Sequence, residues 1–393
     1  MEKENLLAEE YEKQKLLIAT DNFMPRHDGI SRFLSEIIPR LTDKYTITVI
    51  APDFGTYEDP SIKIIKIPLS NFKVGDYIIP KIKRKIIFET VKSSDIIFTQ
   101  TIGPIGTMTI LASKKFKKPI AAYIHSIEWE LVPKAMKNTL LKKYSQTIVK
   151  SIARNLYNKC DLLIMPSQSI SELFIWNNIR TKSTIVNLGV DTNKFKPVDV
   201  EQKKDIRNKL NIDEKDIVIG YHGRISREKD LITLLRAFSR LQNHFDNIKL
   251  LIVGDGLKDI KEQFSNRKNV IMVGSKNNPI PYIQIMDIYC ITSLTETTCL
   301  SLLEAMSCEV APISTEVGYI RSYIKNNYNG LFFQKQNPYH LAKQISLLIN
   351  NRDLRIKIAR NARLTVIEKF SWEKTTQGIL DALEKLQNKL KTK

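Results

Sequence analysis

Cysteine is scarce in this chain and never paired. Cys160, Cys290, Cys299 and Cys308 lack the short paired spacings that hold zinc, and three of them sit in apolar or helical runs, as buried thiols of a reducing compartment do. Long hydrophobic runs are missing as well. The longest stretch without charge, Ile96 to Ser113, contains Gln100, Gly103, Pro104, Gly106 and several threonines, which fits strand, loop and helix rather than a membrane span. The opening MEKENLLAEEYEKQ is acidic and polar, unlike a secretory leader, so a cytoplasmic setting is expected. No full glycine-rich dinucleotide fingerprint is present; the short run Gly254, Asp255, Gly256 reads only as a turn at a strand end, which disfavours a nicotinamide enzyme. Acidic residues are the scarcer sign, 42 against 61 Lys and Arg, for a net charge of +19.

What is present is a chain of 393 residues with 42% apolar and 26% charged content, long enough for two globular domains with separate cores. The positive charge is concentrated. Between Ser61 and Cys160 there are 19 Lys or Arg and 5 Asp or Glu, a net of +14. Nucleic acid and acidic lipid headgroups are both admissible partners, since each is bound through phosphate, and a solvated lysine-rich surface without a partner is the plain alternative. Two basic amphipathic segments fall in this region, Lys81 to Lys92 and Val132 to Lys159. Ile82, Ile86, Ile87 and Val91 lie on one side of the first. Their apolar faces are expected to pack on the sheet and their lysines to face an anionic membrane.

Short apolar strands alternate with helices along the chain. Lys15 to Thr20, a turn-rich DNFMPRHDG loop, a helix with Ile30, Phe33, Leu34, Ile37, Ile38 and Leu41 at helical spacing, and Thr46 to Ala51 form a strand, helix, strand unit. Gly29 stands at its junction, where either a close approach or a positive φ favours glycine. Further strands are expected at Ile62 to Ile67, Asp95 to Phe98, Ile120 to Tyr123 and Leu162 to Met165, giving a parallel α/β sheet. His125 follows one of them and so falls at the carboxyl end, with Glu128, Trp129 and Glu130 beside it. Charged, helix-prone and apolar-poor, Val198 to Glu214 reads as the linker and boundary. A second alternation follows at Ile217 to Tyr221, Lys249 to Val253, Val270 to Val273, Ile288 to Ile291, Val310 to Ile313 and Leu331 to Phe333, then a terminal helix from Ser371.

Within that second half, Arg224 and Lys229 in YHGRISREKD lie between a strand and a helix, where two cations suit a diphosphate. Further on, DIYCITSLTETTCLSLLEAMSCEVAPIS places Glu296 in a loop and Glu304 in the second turn of a helix expected over Thr298 to Ser307. Eight helical residues span about 12 Å, the scale of a nucleotide sugar, and the helix start between them offers free N–H groups to a phosphate. Spacing alone leaves open the simpler reading of a helix cap and a solvated side chain.

The HDG loop at His27 to Gly29, VNLGVDTNKFKP, the GRISREK loop, and ETTCLSLLEAM followed by TEVG and NNYNGLFF, in this order and over nearly the whole chain, resemble the retaining glycosyltransferases of family 4. The resemblance implies a GT-B fold: two Rossmann-like parallel-sheet domains facing across a cleft, residues 1–197 on the acceptor side and 198–370 binding the nucleotide sugar, with a helix at 371–393 returning to the first domain. By match of motif, Glu304 would hold the ribose hydroxyls and Glu296 would orient the hexose. The N–H groups of Thr298, Cys299 and Leu300 would meet sugar or phosphate, and Arg224 and Lys229 would neutralise the leaving diphosphate. Gly29 would let its loop approach that diphosphate, and His125 would contact the donor sugar near its reacting carbon. No aspartate motif for a metal and no other cofactor is implied. Two departures stand out, Thr298 and Cys299 where the family commonly has Phe-Gly, and Tyr319 where a second glycine is common.

The implied reaction is transfer of a hexose, with retention, from a UDP- or GDP-linked donor to a hydroxyl of a membrane lipid or lipid-linked glycan, by a peripheral enzyme on the inner face of the membrane. Two other readings remain at this point. One is a GT-B epimerase acting on the nucleotide sugar itself. The other is a non-enzymatic anion-binding module, against which the lack of a nucleic-acid motif counts.

Overall fold

The structure is a computed structural model and describes residues 13–26, 28–74, 77–135, 139–296 and 299–391. The chain forms two compact units, Met1–Val186 with Thr376–Lys393, and Asn187–Thr375.

In the first unit, strands β1 (Gln14–Ala19), β2 (Tyr45–Pro52) and β3 (Lys63–Ile67) precede a hairpin of β4 (Leu69–Val74) and β5 (Tyr77–Pro80); β6 (Ile96–Thr99), β7 (Ile120–Tyr123), β8 (Leu162–Met165) and β9 (Ser183–Ile185) follow. Helices α1 (Gly29–Leu41), α2 (Arg84–Ser93), α3 (Pro104–Phe116), α4 (Glu128–Ala135), α5 (Thr139–Tyr157) and α6 (Gln168–Trp176) connect them. Seven strands build one parallel sheet in the order β3-β2-β1-β6-β7-β8-β9. The short uniform apolar runs have this cause: β6 and β7 are buried at every residue, as strands covered on both faces must be.

Two side chains fix the turns at the carboxyl ends. Asp28 caps α1, its Oδ1 accepting from the N–H groups of Ile30 (3.0 Å) and Ser31 (2.9 Å). Asp21, only 2% exposed, reaches 84 residues along the chain to accept from Ile105 N–H (2.9 Å) and Gly106 N–H (3.1 Å) at the start of α3, and Thr101 donates to it at 2.5 Å.

The second unit comprises α7 (Val200–Asn208), β10 (Ile217–His222), α8 (Leu231–Leu241), β11 (Ile248–Val253), α9 (Lys258–Lys261), β12 (Val270–Gly274), α10 (Ile280–Gln284), β13 (Ile288–Ile291), α11 (Leu300–Ser307), β14 (Ala311–Thr315), α12 (Ile320–Tyr323), β15 (Leu331–Phe333), α13 (Pro338–Asn350) and α14 (Arg352–Lys369). Its parallel sheet runs β12-β11-β10-β13-β14-β15. The last helix, α15 (Trp372–Lys391), begins in this unit and continues from Thr376 in the first, where Lys44 pairs with Glu384 at 2.7 Å.

Three expectations need correction. The division falls after Val186, not at 197, because the intervening segment is bonded to the second unit through backbone groups: Val190 N–H donates to Phe370 O (2.8 Å) and Gln284 donates to Lys196 O (2.7 Å). The supposed linker is largely α7, whose Arg207 is 5% exposed and pairs with Asp287 at 2.7 Å. In α2 only Ile87 and Val91 are buried; Ile86 is 40% exposed, and Ile82, 58% exposed, lies ahead of the helix.

Candidate active site

In each sheet the strand order reverses beside the first strand, at β1/β6 and at β10/β13, and the crevice at the carboxyl ends of such strands is where open α/β sheets bind ligands. The chemistry of the second unit gathers there. His222 ends β10, and its Nε2 lies 2.6 Å from Glu304 Oε2 in α11, with the two side chains 7% and 2% exposed. Tyr289 in β13 donates to His222 O at 3.1 Å and holds the strand end in place.

The loop after His222 is fastened on both sides. Gly223 N–H donates to Val253 O (2.9 Å), Ile225 N–H to Asp255 O (2.8 Å) and Leu257 N–H back to Ile225 O (2.9 Å). On the other flank Leu294 N–H donates to Glu228 O (2.8 Å) and Thr292 to Lys229 O (2.7 Å). The Gly254–Gly256 turn is therefore more than punctuation: a Cβ on Gly254, at φ +146°, would lie 1.9 Å from Gly223 O.

This fastening delivers Lys229 to Glu296. Lys229 Nζ is 2.6 Å from Glu296 Oε1, and Ser293, whose own carbonyl accepts from Thr315 at 2.6 Å, donates to the same oxygen at 2.5 Å. Burial pulls the Lys229 pKa down, but the Glu296 carboxylate outweighs it and the net shift is upward, so the ammonium stays charged. Gly318, at φ +53°, lets the loop after β14 pass over Glu296, since a Cβ there would sit 1.8 Å from Glu296 O. Next to it Tyr319 is buried and fills the core.

Cys299 is the N-cap of α11 and makes no side-chain capping bond; Leu302 and Leu303 N–H donate to Cys299 O (3.0 and 3.3 Å), while those of Leu300 and Ser301 have no partner among the described residues, as at any helix start. Its own thiol is buried, and burial followed by Glu296 pushes its pKa up to about 12, leaving it without thiolate reactivity. Thr298 lies outside the described residues, as does His27. Arg224 is 68% exposed and pairs with Glu228 at 2.8 Å, so the structure does not bring it onto Glu296. A hollow of about 300 Å³ opens beside it, lined by His222, Arg224, Asp255, Ser275, Lys276 and Pro279. A larger one, about 560 Å³ at Asp213 and Lys249, lies at the amino ends of the strands and away from this chemistry.

In the first unit His125 stands just past β7, its Nε2 3.0 Å from Gln100 Oε1 and its ring packed on Phe33 and Tyr123. Burial lowers its pKa to about 3, so the imidazole is neutral at working pH and offers hydrogen bonds rather than charge. Of the three residues beside it, Glu130 is exposed and the other two are engaged within the unit. Trp129 is buried against Phe174, and Glu128 accepts from Tyr157 (2.8 Å) and Ser126 (3.2 Å). Gly29, the first residue of α1, has ordinary φ, and a Cβ added to it would meet nothing within 4 Å, so neither strain nor crowding within the chain demands glycine there.

Sequence reasoning passed over His222, although a polar residue ending an apolar strand at the point of reversal was a usable signal. Among the described residues no three His, Cys, Asp or Glu side chains gather as a metal site.

Residues 27–194 match the family described as Glycosyltransferase Family 4, and residues 202–365 match Glycosyl transferases group 1. The chain is a family-4 glycosyltransferase. It is 25% identical over 328 residues to the alpha-monoglucosyldiacylglycerol synthase of Streptococcus pneumoniae, covering 80% of this chain and 74% of that one. It is also 25% identical over 368 residues to the synthase of the same name from Acholeplasma laidlawii, covering 89% and 91%. Among solved structures, HepE of Anabaena in complex with UDP superposes with a TM-score of 0.78 over 95% of this chain and all of that one at 19% identity, a likeness of fold. The glycosyltransferase thus has the GT-B fold, and its paired glutamates lie at the reversal point of the second sheet.

Proposed function

We propose that this glycosyltransferase moves a hexose, with retention, from a UDP- or GDP-linked donor to a hydroxyl of a membrane lipid or lipid-linked glycan, without a metal. The observation that carries the reading is the Lys229–Glu296 pair at the β10/β13 reversal, beside the start of α11, which no described side chain caps. A charged lysine, the nearby Arg224 and a helix start together suit a diphosphate. The names of the two lipid-glycosylating relatives support the acceptor class.

The second unit is assigned the donor and the first the acceptor. Glu304, oriented by His222, takes the ribose hydroxyls, and Glu296 takes a hexose hydroxyl. The N–H groups of Cys299 and Leu300, with Thr298, meet the sugar or phosphate. The hard step is charge separation as the bond from the anomeric carbon to phosphate oxygen breaks, and Lys229 and Arg224 stabilise the departing diphosphate. The acceptor oxygen bonds to the anomeric carbon on the same face, and its proton passes to the leaving phosphate. His125 serves as a neutral hydrogen-bonding group toward the sugar, and Gly29 as the small residue of the diphosphate loop.

No helix among the described residues is long and apolar enough to cross a membrane; the enzyme is assigned to the cytoplasmic membrane surface as a peripheral protein. A panel of nucleotide sugars incubated with membrane extract, read by product mass, tests donor and acceptor together. Glu304→Ala and Arg224→Ala should each lower kcat/KM by roughly ten- to a hundredfold, as expected for loss of a hydrogen bond to a charged group. Normal transfer by both would sink the assignment of roles.

A further inference from the structure

In the second unit Arg207, Arg224, Arg227, Arg321 and Arg360 each hold a carboxylate, those of Asp287, Glu228, Asp259, Glu316 and Glu309. Arg236, Arg240 and Arg267 do not. These three are exposed, stand in no ion pair among the described residues, and line one hollow of about 350 Å³. Most of its lining is the outer face of α8, where Ile232, Arg236, Ser239, Arg240 and Asn243 recur at helical spacing while Leu231, Leu234, Phe238 and Leu241 are buried on the other face. Arg267, which follows α9, and Pro338, which opens α13, complete it.

The positive charge is gathered there without compensation. No acidic residue lines the hollow. Arg236 and Arg240 are four apart on one helix, a spacing at which like charges repel. Arg267 donates its Nε to Gln263 O (2.5 Å), which orients the guanidinium and leaves its terminal amino groups for a ligand. Asp230 feels the Arg236 charge without forming an ion pair with it, and accepts instead from Thr233 at 2.7 Å. Along α8 the chain leads away from the donor chemistry. At about 1.5 Å per residue, Arg240 lies about 15 Å down the axis from Asp230, the residue after Lys229.

We propose that this hollow binds an oligophosphate, bare or carried by a nucleoside, at a site separate from that of the donor. Each guanidinium presents a planar fork to phosphate oxygens. A short phosphate chain carries charge on every link, so three forks around one hollow each have a phosphate to grip; a lone phosphate or carboxylate would leave cations unanswered. The volume is that of a small-molecule site, and Ile232, Leu235 and Pro338 supply an apolar wall for the ring of a nucleoside. A nucleic-acid strand would want stacking aromatics, and no aromatic lines the hollow. The site goes beyond the donor and acceptor reading above and does not depend on it.

The test uses the full chain with inorganic tripolyphosphate at physiological salt. Binding is read as shielding of individual arginines from a glyoxal reagent, mapped by peptide mass. In wild type Arg236, Arg240 and Arg267 should be shielded together and saturably, while the exposed Arg180 and Arg352 stay reactive. Arg236→Gln and Arg240→Gln should each raise the tripolyphosphate needed to half-shield Arg267 by roughly ten- to a hundredfold. Neither change breaks an ion pair, so both variants should keep wild-type circular dichroism; the wild-type map decides the matter even for a variant that misfolds. Lys229→Met should leave the shielding intact. Uridine and guanosine triphosphates, compared with the bare chain, separate the sources. Tighter shielding by either assigns the hollow to a nucleotide, and equal shielding assigns it to the phosphate chain alone; both support the site. Shielding that spreads evenly to Arg180 and Arg352 overturns it, since net charge then attracts the anion without a site. So does shielding unchanged in both glutamine variants, or lost in Lys229→Met, which would return the anion to the donor site.

Discussion

Glu128 offers a test of first-unit electrostatics that needs no substrate. Burial raises its carboxyl from 4.5 to about 7, against the lowering effect of the Tyr157 and Ser126 hydrogen bonds, and its Oε2 is buried with no hydrogen-bond partner among the described residues. A group whose folded-state pKa is raised contributes stability that is fully present below the unfolded pKa and lost as pH rises through the folded one, so the loss runs from about pH 4.5 to 7. A shift of this size corresponds to at most about 3 kcal/mol. Glu128→Gln keeps an oxygen to accept from Tyr157 and never ionises. It should match wild type near pH 4 and exceed it by up to about 3 kcal/mol above pH 8.

The comparison is between variant and wild type at each pH, because His125, lowered to about 3, imposes the opposite slope on both proteins. Its contribution is lost as pH falls below about 6.5. Urea titration followed by fluorescence suits the case, since Trp129 is buried beside Glu128, and a Trp372→Phe background removes the other buried indole. A stability difference between Glu128→Gln and wild type that is the same at both ends of the pH range would refute the reasoning.

Lys229→Met should leave Glu296 6% exposed and without its cation, lowering kcat by roughly 10²–10³ through lost stabilisation of developing charge, with Lys229→Arg recovering part of it in single-turnover assays. Gly318→Ala forces a Cβ against Glu296 O at a left-handed backbone position; donor affinity measured calorimetrically should fall at least roughly tenfold, and wild-type affinity would show that the loop yields freely. Asp287 accepts from Lys203, Arg207 and Val218 N–H, and the two cations hold its pKa low despite burial, so Asp287→Ala should destabilise the second unit by about 3–5 kcal/mol at neutral pH, read by chemical denaturation. Its effect should shrink only in acid, below the ordinary carboxylate range.

Strands were legible where burial on both faces leaves a short uninterrupted apolar run: Ile120–Tyr123, Leu162–Met165, Ile288–Ile291 and Leu331–Phe333 end where the sequence says they should. The β4–β5 hairpin was not, because LSNFKV and YIIP carry neither that run nor a clean alternation. Arg207 misled for another reason: a buried guanidinium reads as surface charge until its partner, 80 residues away at Asp287, is known. At the site, Glu296 and Glu304 were legible through motif order. Their immediate partners Lys229 and His222 depend on which strand ends meet at the reversal of the second sheet, which is a property of topology rather than spacing.

Asp21 decides something about the first sheet that its strand order leaves open. A helix start at the carboxyl end of a parallel sheet is by default hospitable to an anion. In the first unit that hospitality is already withdrawn, because the Asp21 carboxylate lies against the N–H groups of Ile105 and Gly106 at the start of α3. Cys299 at the start of α11 supplies no such group. Of the two helix starts, the one at α3 is therefore closed to a visiting phosphate by an internal carboxylate, while at α11 no described side chain takes the first N–H groups.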